Sequence, residues 1–150
     1  MRPTLYDHAG GDAGLLRLAH AHHARCLADP ELNHPFSHGG HAQHLERLAA
    51  YWGEVFGGPA TYSQSCGSQT DVLVMHAGNG DMSDLGRRFV ECFVAAADDA
   101  GLPADAEFRA ALRAYMEWAM PAFIGYPDGG EAVPNGLAVP HWGWDGLLSA

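Results

Sequence analysis

"HAQHLERLAAYWGEVFGGPATYS", residues 41–63, is the stretch whose reading decides the fold. Within it His44, Leu45, Leu48, Tyr51, Trp52 and Val55 return at steps of three and four, the spacing that lays side chains along one face of an α-helix. Gly57, Gly58 and Pro59 then stop the pattern, since glycine favours non-helical backbone and proline brings no N–H. The spacing predicts a long helix from His41 onward that ends at this break.

The same period appears on both sides. Upstream, Leu15, Leu16, Ala19, His22, His23 and Cys26 predict a helix over 12–28, opened after Gly10-Gly11 and closed by Asp29-Pro30. The "ELNHPFSHGG" that follows is rich in turn formers and reads as a corner. Downstream, 60–80 is a loop that carries a short helix over about 71–77. Ser83 or Asp81 can cap a third long helix through Leu85, Phe89, Cys92 or Phe93, Ala96 and Ala97. A fourth begins near Asp105 and runs through Phe108, Leu112, Tyr115, Met116 and Ala119. Pro121 and the tail beyond it are expected to be mostly irregular, with Trp142, Trp144, Leu147 and Leu148 packing that tail on the body. Four helices without a convincing strand pair predict an all-α domain.

Composition narrows the function classes. At 150 residues the chain fits one domain, and eighteen acidic against eight basic residues give a charge of −10, which repels nucleic acid and anionic lipid alike. Three cysteines without CxxC spacing suggest neither a disulfide framework nor a thiolate zinc site. With no leader pattern and no apolar run of membrane-spanning length, the expectation is a soluble cytoplasmic protein. No phosphate-binding glycine loop and no G-x-S-x-G elbow occur, and Cys92 reads as core.

Ten histidines, seven of them between His20 and His44, ask for a chemical reason. His20, His34, His38 and His41 read as mostly solvated, and "HAHH" lacks the tight spacing of a zinc site. His44 shares the inner face with Leu48, where a buried imidazole needs a partner. His76 ends the apolar run of "DVLVMHAGNG" and has two readings. One is an ordinary helix-end imidazole favoured by the helix dipole. The other is a nitrogen ligand to haem iron, projecting from an apolar wall made by Val72 and Leu73.

"LYDHAGG", "LADPEL", "HPF", "HLERL", "YWGEVFGGPATYS" and "VMHAG" followed by "RRF" stand in the order found in a known family. Over about residues 4–120 the chain resembles the group II truncated haemoglobins, and "GGPATYS" with a histidine fourteen residues after Tyr62 is the most specific part. The resemblance implies a truncated two-over-two globin domain at 1–120 with an extension, 121–150, packed on it. It implies haem b as cofactor, with His76 as the iron ligand and Phe36, Leu48, Tyr62, Met75 and Phe89 as further cofactor-binding positions. Phe36 would stack on the haem, and Tyr62 would approach a propionate.

The departures from the family fall in the pocket. The family usually carries tyrosine at His23, tryptophan at Phe89, a basic residue at Met75 and "HAPF" where this chain has "HAGN". His23 and His44 are then left as the distal donors and as the catalytic pair of any turnover. The implied function is binding of O2 or another diatomic such as NO or CO, by a monomer or homodimer. The alternative is a haem-dependent oxidoreductase acting on NO or peroxide, which would need an external reductase. A haem-free helical metal-binding module is the second alternative.

Overall fold

The computed structural model describes residues 2–32 and 43–150. Phe36, and with it His34, His38 and His41, lie outside the described residues. Seven α-helices are described: α1 (Leu5–His8), α2 (Gly11–Ala28), α3 (His44–Val55), α4 (Thr61–Ser65), α5 (Gln69–His76), α6 (Ser83–Asp99) and α7 (Ala106–Phe123). The fold is the predicted all-α one.

Helix α2 packs on α3 and α6, and α6 packs on α7. On α2 the buried stripe is Leu15, Leu18, Ala19, His22 and Cys26, at the three- and four-residue steps of an amphipathic helix. It shares one core with Trp52 and Val55 of α3, Phe93 of α6, and Phe108, Leu112 and Tyr115 of α7. Each such side chain contributes about 1.5 to 3 kcal/mol when fully buried, and this common core orients the helices. The entry to α2 is tight: a Cβ on Gly14 would lie 1.8 Å from the Ala9 carbonyl oxygen, so the end of α1 crosses α2 where only glycine fits.

Local chemistry sets the helix ends. Asp105 caps α7 by accepting from the Phe108 N–H at 3.2 Å, and Asp81 holds the start of α6 through the Ser83 N–H and hydroxyl. Ser68 and Asp71 form a reciprocal capping box on α5. Helix α4 lacks clear periodicity, and a distant residue organises it. Glu54, only 3% exposed, accepts hydrogen bonds from the Ser63 N–H and the Ser63 hydroxyl.

Two features differ from the sequence expectation. Helix α7 continues through Pro121 to Phe123. A proline so near the end removes a single N–H, and burial of Met120 and Phe123 outweighs that loss. The tail also holds a small antiparallel hairpin, β1 (His141–Gly143) and β2 (Gly146–Ser149), closed at Gly146 with φ 118°. Val133, Val139 and Trp142 of the tail are buried in the same core as the helices. Trp144 donates to the Pro3 carbonyl at 2.8 Å, tying the hairpin to the amino terminus. No described helix is long and apolar enough to cross a membrane.

Candidate functional site

His76 is the last residue of α5, below Val72 and Leu73, the two buried residues of that helix. Its Nδ1 lies 2.7 Å from the Val72 carbonyl oxygen. A carbonyl can only accept, so Nδ1 carries the proton and Nε2 keeps a lone pair. The ring stacks on Phe123 of α7, with centroids 4.7 Å apart and planes at 20°. Burial pulls the His76 pKa below the ordinary histidine value, against the opposing effect of the Val72 bond, so the imidazole is neutral at pH 7. A neutral, oriented nitrogen donor on a rigid wall results.

The histidines of α2 and α3 approach the same region. His44 opens α3, exposed at the edge of the core, and its pKa is lowered first by partial desolvation and then by the neighbouring His76 and Arg47. His23, half-buried on α2, lies 5.8 Å from His44 between ring centroids. Burial lowers its pKa too, with His44 and His20 adding to the effect. Both imidazoles are therefore biased toward the neutral form at pH 7.

The expected inner-face burial of His44 needs correction. His44 is exposed and Leu48 is half-buried, because the buried part of α3 begins only at Ala49. The imidazole stands in the first turn, at the edge of the core. Met75 is 63% exposed, one residue before His76 on the other side of α5. Phe89 is half-buried and meets His22 edge to face, with centroids 4.4 Å apart. Tyr62 is buried on α4 against Tyr51, and its pKa is raised by burial, against the lowering effect of the Arg47 charge.

Two residues passed over in the sequence belong to this neighbourhood. Arg47 lies three residues after His44 on α3, interacts with both His44 and Tyr62, and donates to the Cys66 carbonyl at 3.2 Å. The three-residue step from His44 is the signal that could have found it. His22 is the other: it is 2% exposed, and its pKa falls to about 4, mainly through burial. Its Nε2 has no hydrogen-bond partner among the described residues, and Trp52, Phe89 and Phe93 surround the ring. Adjacent histidines at 22 and 23 look alike in sequence, and the rotation of α2 alone separates them.

Comparison with known proteins fits this arrangement. A family model described as bacterial-like globin matches residues 4–121. The chain belongs to that globin family. This globin is similar in structure to a thermostable hemoglobin from the actinobacterium Thermobifida fusca, at 28% identity and a TM-score of 0.66 over 81% of this chain and 97% of that one. It is likewise similar to the hemoglobin of the thermophilic phototrophic bacterium Chloroflexus aurantiacus, at 29% identity and a TM-score of 0.69 over 82% of this chain and 98% of that one. No curated protein matches it significantly. The resemblance to truncated haemoglobins is thereby borne out.

The residues present fit a haem. The group needs one neutral nitrogen donor, apolar walls and a cation near its carboxylates. His76, the half-buried Leu48 and Phe89, and Arg47 beside Tyr62 meet those needs. Among the described residues no group of three or more His, Cys, Asp and Glu is gathered closely enough to hold a bare metal ion.

Proposed function

We propose that this globin binds haem b through His76 and holds O2 or another diatomic ligand on the side of His44 and His23. The observation that carries the reading is the Val72 bond, which fixes the His76 tautomer and frees Nε2 on a half-buried, neutral ring. When bound, the haem supplies an iron with a position open to a small ligand. The chain's residues do the rest. His76 holds the group, Leu48 and Phe89 wall it, and Arg47 with Tyr62 compensates carboxylate charge. Met75, on the exposed side of α5, and Phe36 complete the proposed contacts. His44 and His23 can each donate a hydrogen bond toward a ligand that carries partial negative charge.

A second reading, turnover of NO or peroxide with electrons from a separate reductase, is favoured by one observation. Both distal imidazoles are biased toward the neutral form, so either offers a nitrogen lone pair to a proton released by a reacting group. Oxygen transport, storage and sensing need no such step. An absorption spectrum of the purified or haem-reconstituted protein tests the first reading. A Soret band is expected for the parent, and His76→Gly should lose it and regain it with added imidazole. Stoichiometric haem with an unaltered spectrum in His76→Gly refutes the assignment. Rapid oxidation by NO or peroxide, with ligand exchange too slow for storage, would select the second reading.

A further inference from the structure

Helix α5 is too short to hold itself in place. It has eight residues, well under the length at which an isolated helix is stable, and Val72 and Leu73 are its only buried side chains. Its position must come from what is packed around it. Apart from α7, its main neighbour is the single 3-10 turn at Gly130–Ala132, which belongs to the tail beyond the family match.

The contacts are specific and occur at both ends of the helix. In the first turn, the Thr70 hydroxyl donates to the Pro134 carbonyl at 2.7 Å and accepts from the Leu137 N–H at 3.1 Å. Both hydrogen-bonding capacities of that hydroxyl are therefore spent on the tail. Just past His76, the Gly78 N–H donates to the Tyr126 carbonyl at 2.9 Å and the Gly80 N–H to the Pro127 carbonyl at 3.0 Å. Midway, Gly130 sits so close to Val74 that a Cβ there would lie 3.1 Å from Val74 Cγ1. Residues 126–137 thus run along α5 from its carboxyl end to its amino end.

We infer that the C-terminal extension is a brace on α5, with Thr70 as the positioning residue through which it sets where His76 presents its nitrogen. The family match ends at residue 121, so the segment that lies along α5 falls beyond it. Its consequence for ligand chemistry rests on the haem reading. A helix held in this way would keep the His76 nitrogen in one position whether or not a ligand is bound.

The test uses the full chain with Thr70→Val, which keeps the shape and removes the hydroxyl, and Thr70→Ser, which restores it. Amide hydrogen exchange over 72–76 is read in apoprotein and haem-loaded protein, and the iron–histidine stretching band is read by resonance Raman in the ferrous, ligand-free form. Thr70→Val is expected to speed exchange in α5 about ten- to a hundredfold, the range that loss of the hydroxyl's two hydrogen bonds implies, without altering exchange in the core of α2. It should also shift or broaden the iron–histidine band, and Thr70→Ser should restore both. Unchanged exchange and an unchanged band in Thr70→Val overturn the brace. If Thr70→Val does not fold, Gly130→Ala leaves both Thr70 bonds in place and presses a methyl on Val74; an unmoved band there overturns it equally. A parent chain that takes up no haem would defeat the haem reading alone, since the exchange experiment in apoprotein still decides whether the extension holds α5.

Discussion

Replacing His22 with phenylalanine should make the fold less sensitive to acid. His22 is buried among Trp52, Phe89 and Phe93, and its pKa falls from 6.5 to about 4, chiefly because burial penalises the charged ring. Between those two values the unfolded chain binds a proton that the folded chain refuses, so stability is complete above pH 6.5 and falls as the pH drops toward 4. The interval corresponds to about 3 kcal/mol at about 1.4 kcal/mol per pH unit. Near neutrality His22→Phe has two opposed effects. It relieves a buried Nε2 that has no partner among the described residues, worth about 1 to 3 kcal/mol, and it adds volume to a packed site, at a cost of about 1 to 3 kcal/mol. The two proteins should therefore be nearly equal near pH 7, with the variant the more stable near pH 4.5. Urea unfolding followed by circular dichroism at a series of pH values measures this directly. Parallel stability curves for parent and variant across that range would refute the buried neutral imidazole.

His44→Leu is expected to raise the O2 dissociation rate about ten- to a hundredfold, the worth of one charge-assisted hydrogen bond, and to do so more than His23→Leu. The ranking follows from reach: His44 opens the helix expected to cover the ligand side, whereas His23 comes from α2, crossing behind it, and stopped-flow kinetics showing the reverse order would discard it. Phe36→Ala should accelerate haem loss to an acceptor protein, and a normal rate would count against its stacking on the haem. Glu54→Ala should cost about 1.5 to 3 kcal/mol by stranding both Ser63 donors at the start of α4, seen as a lower Tm; no change would mean that α4 is held by something else.

Much of the scaffold was legible along the chain, because helix faces are written at three- and four-residue steps that need no knowledge of distant partners. Leu15, Ala19 and Cys26, or Phe108, Leu112 and Tyr115, declare their helices by themselves. Gly57-Gly58-Pro59 and Asp29-Pro30 declare where helices stop, and His76 stands out by ending an apolar run, with two readings that the run alone leaves open. The tertiary structure alone separated His22 from His23: one position on a helix is a turn of about 100°, which here divides a ring sealed in the core from one near His44. It alone drew Arg47 toward Tyr62 and His44 to the margin of the core, and it alone set Glu54 beneath Ser63. The bonds that tie Thr70 to Pro134 and Leu137 lay beyond any local pattern, since they join groups more than sixty residues apart and two of the three groups are backbone atoms that every residue type carries. Periodicity encodes which face of an element turns inward, and only the packed chain decides what that face meets.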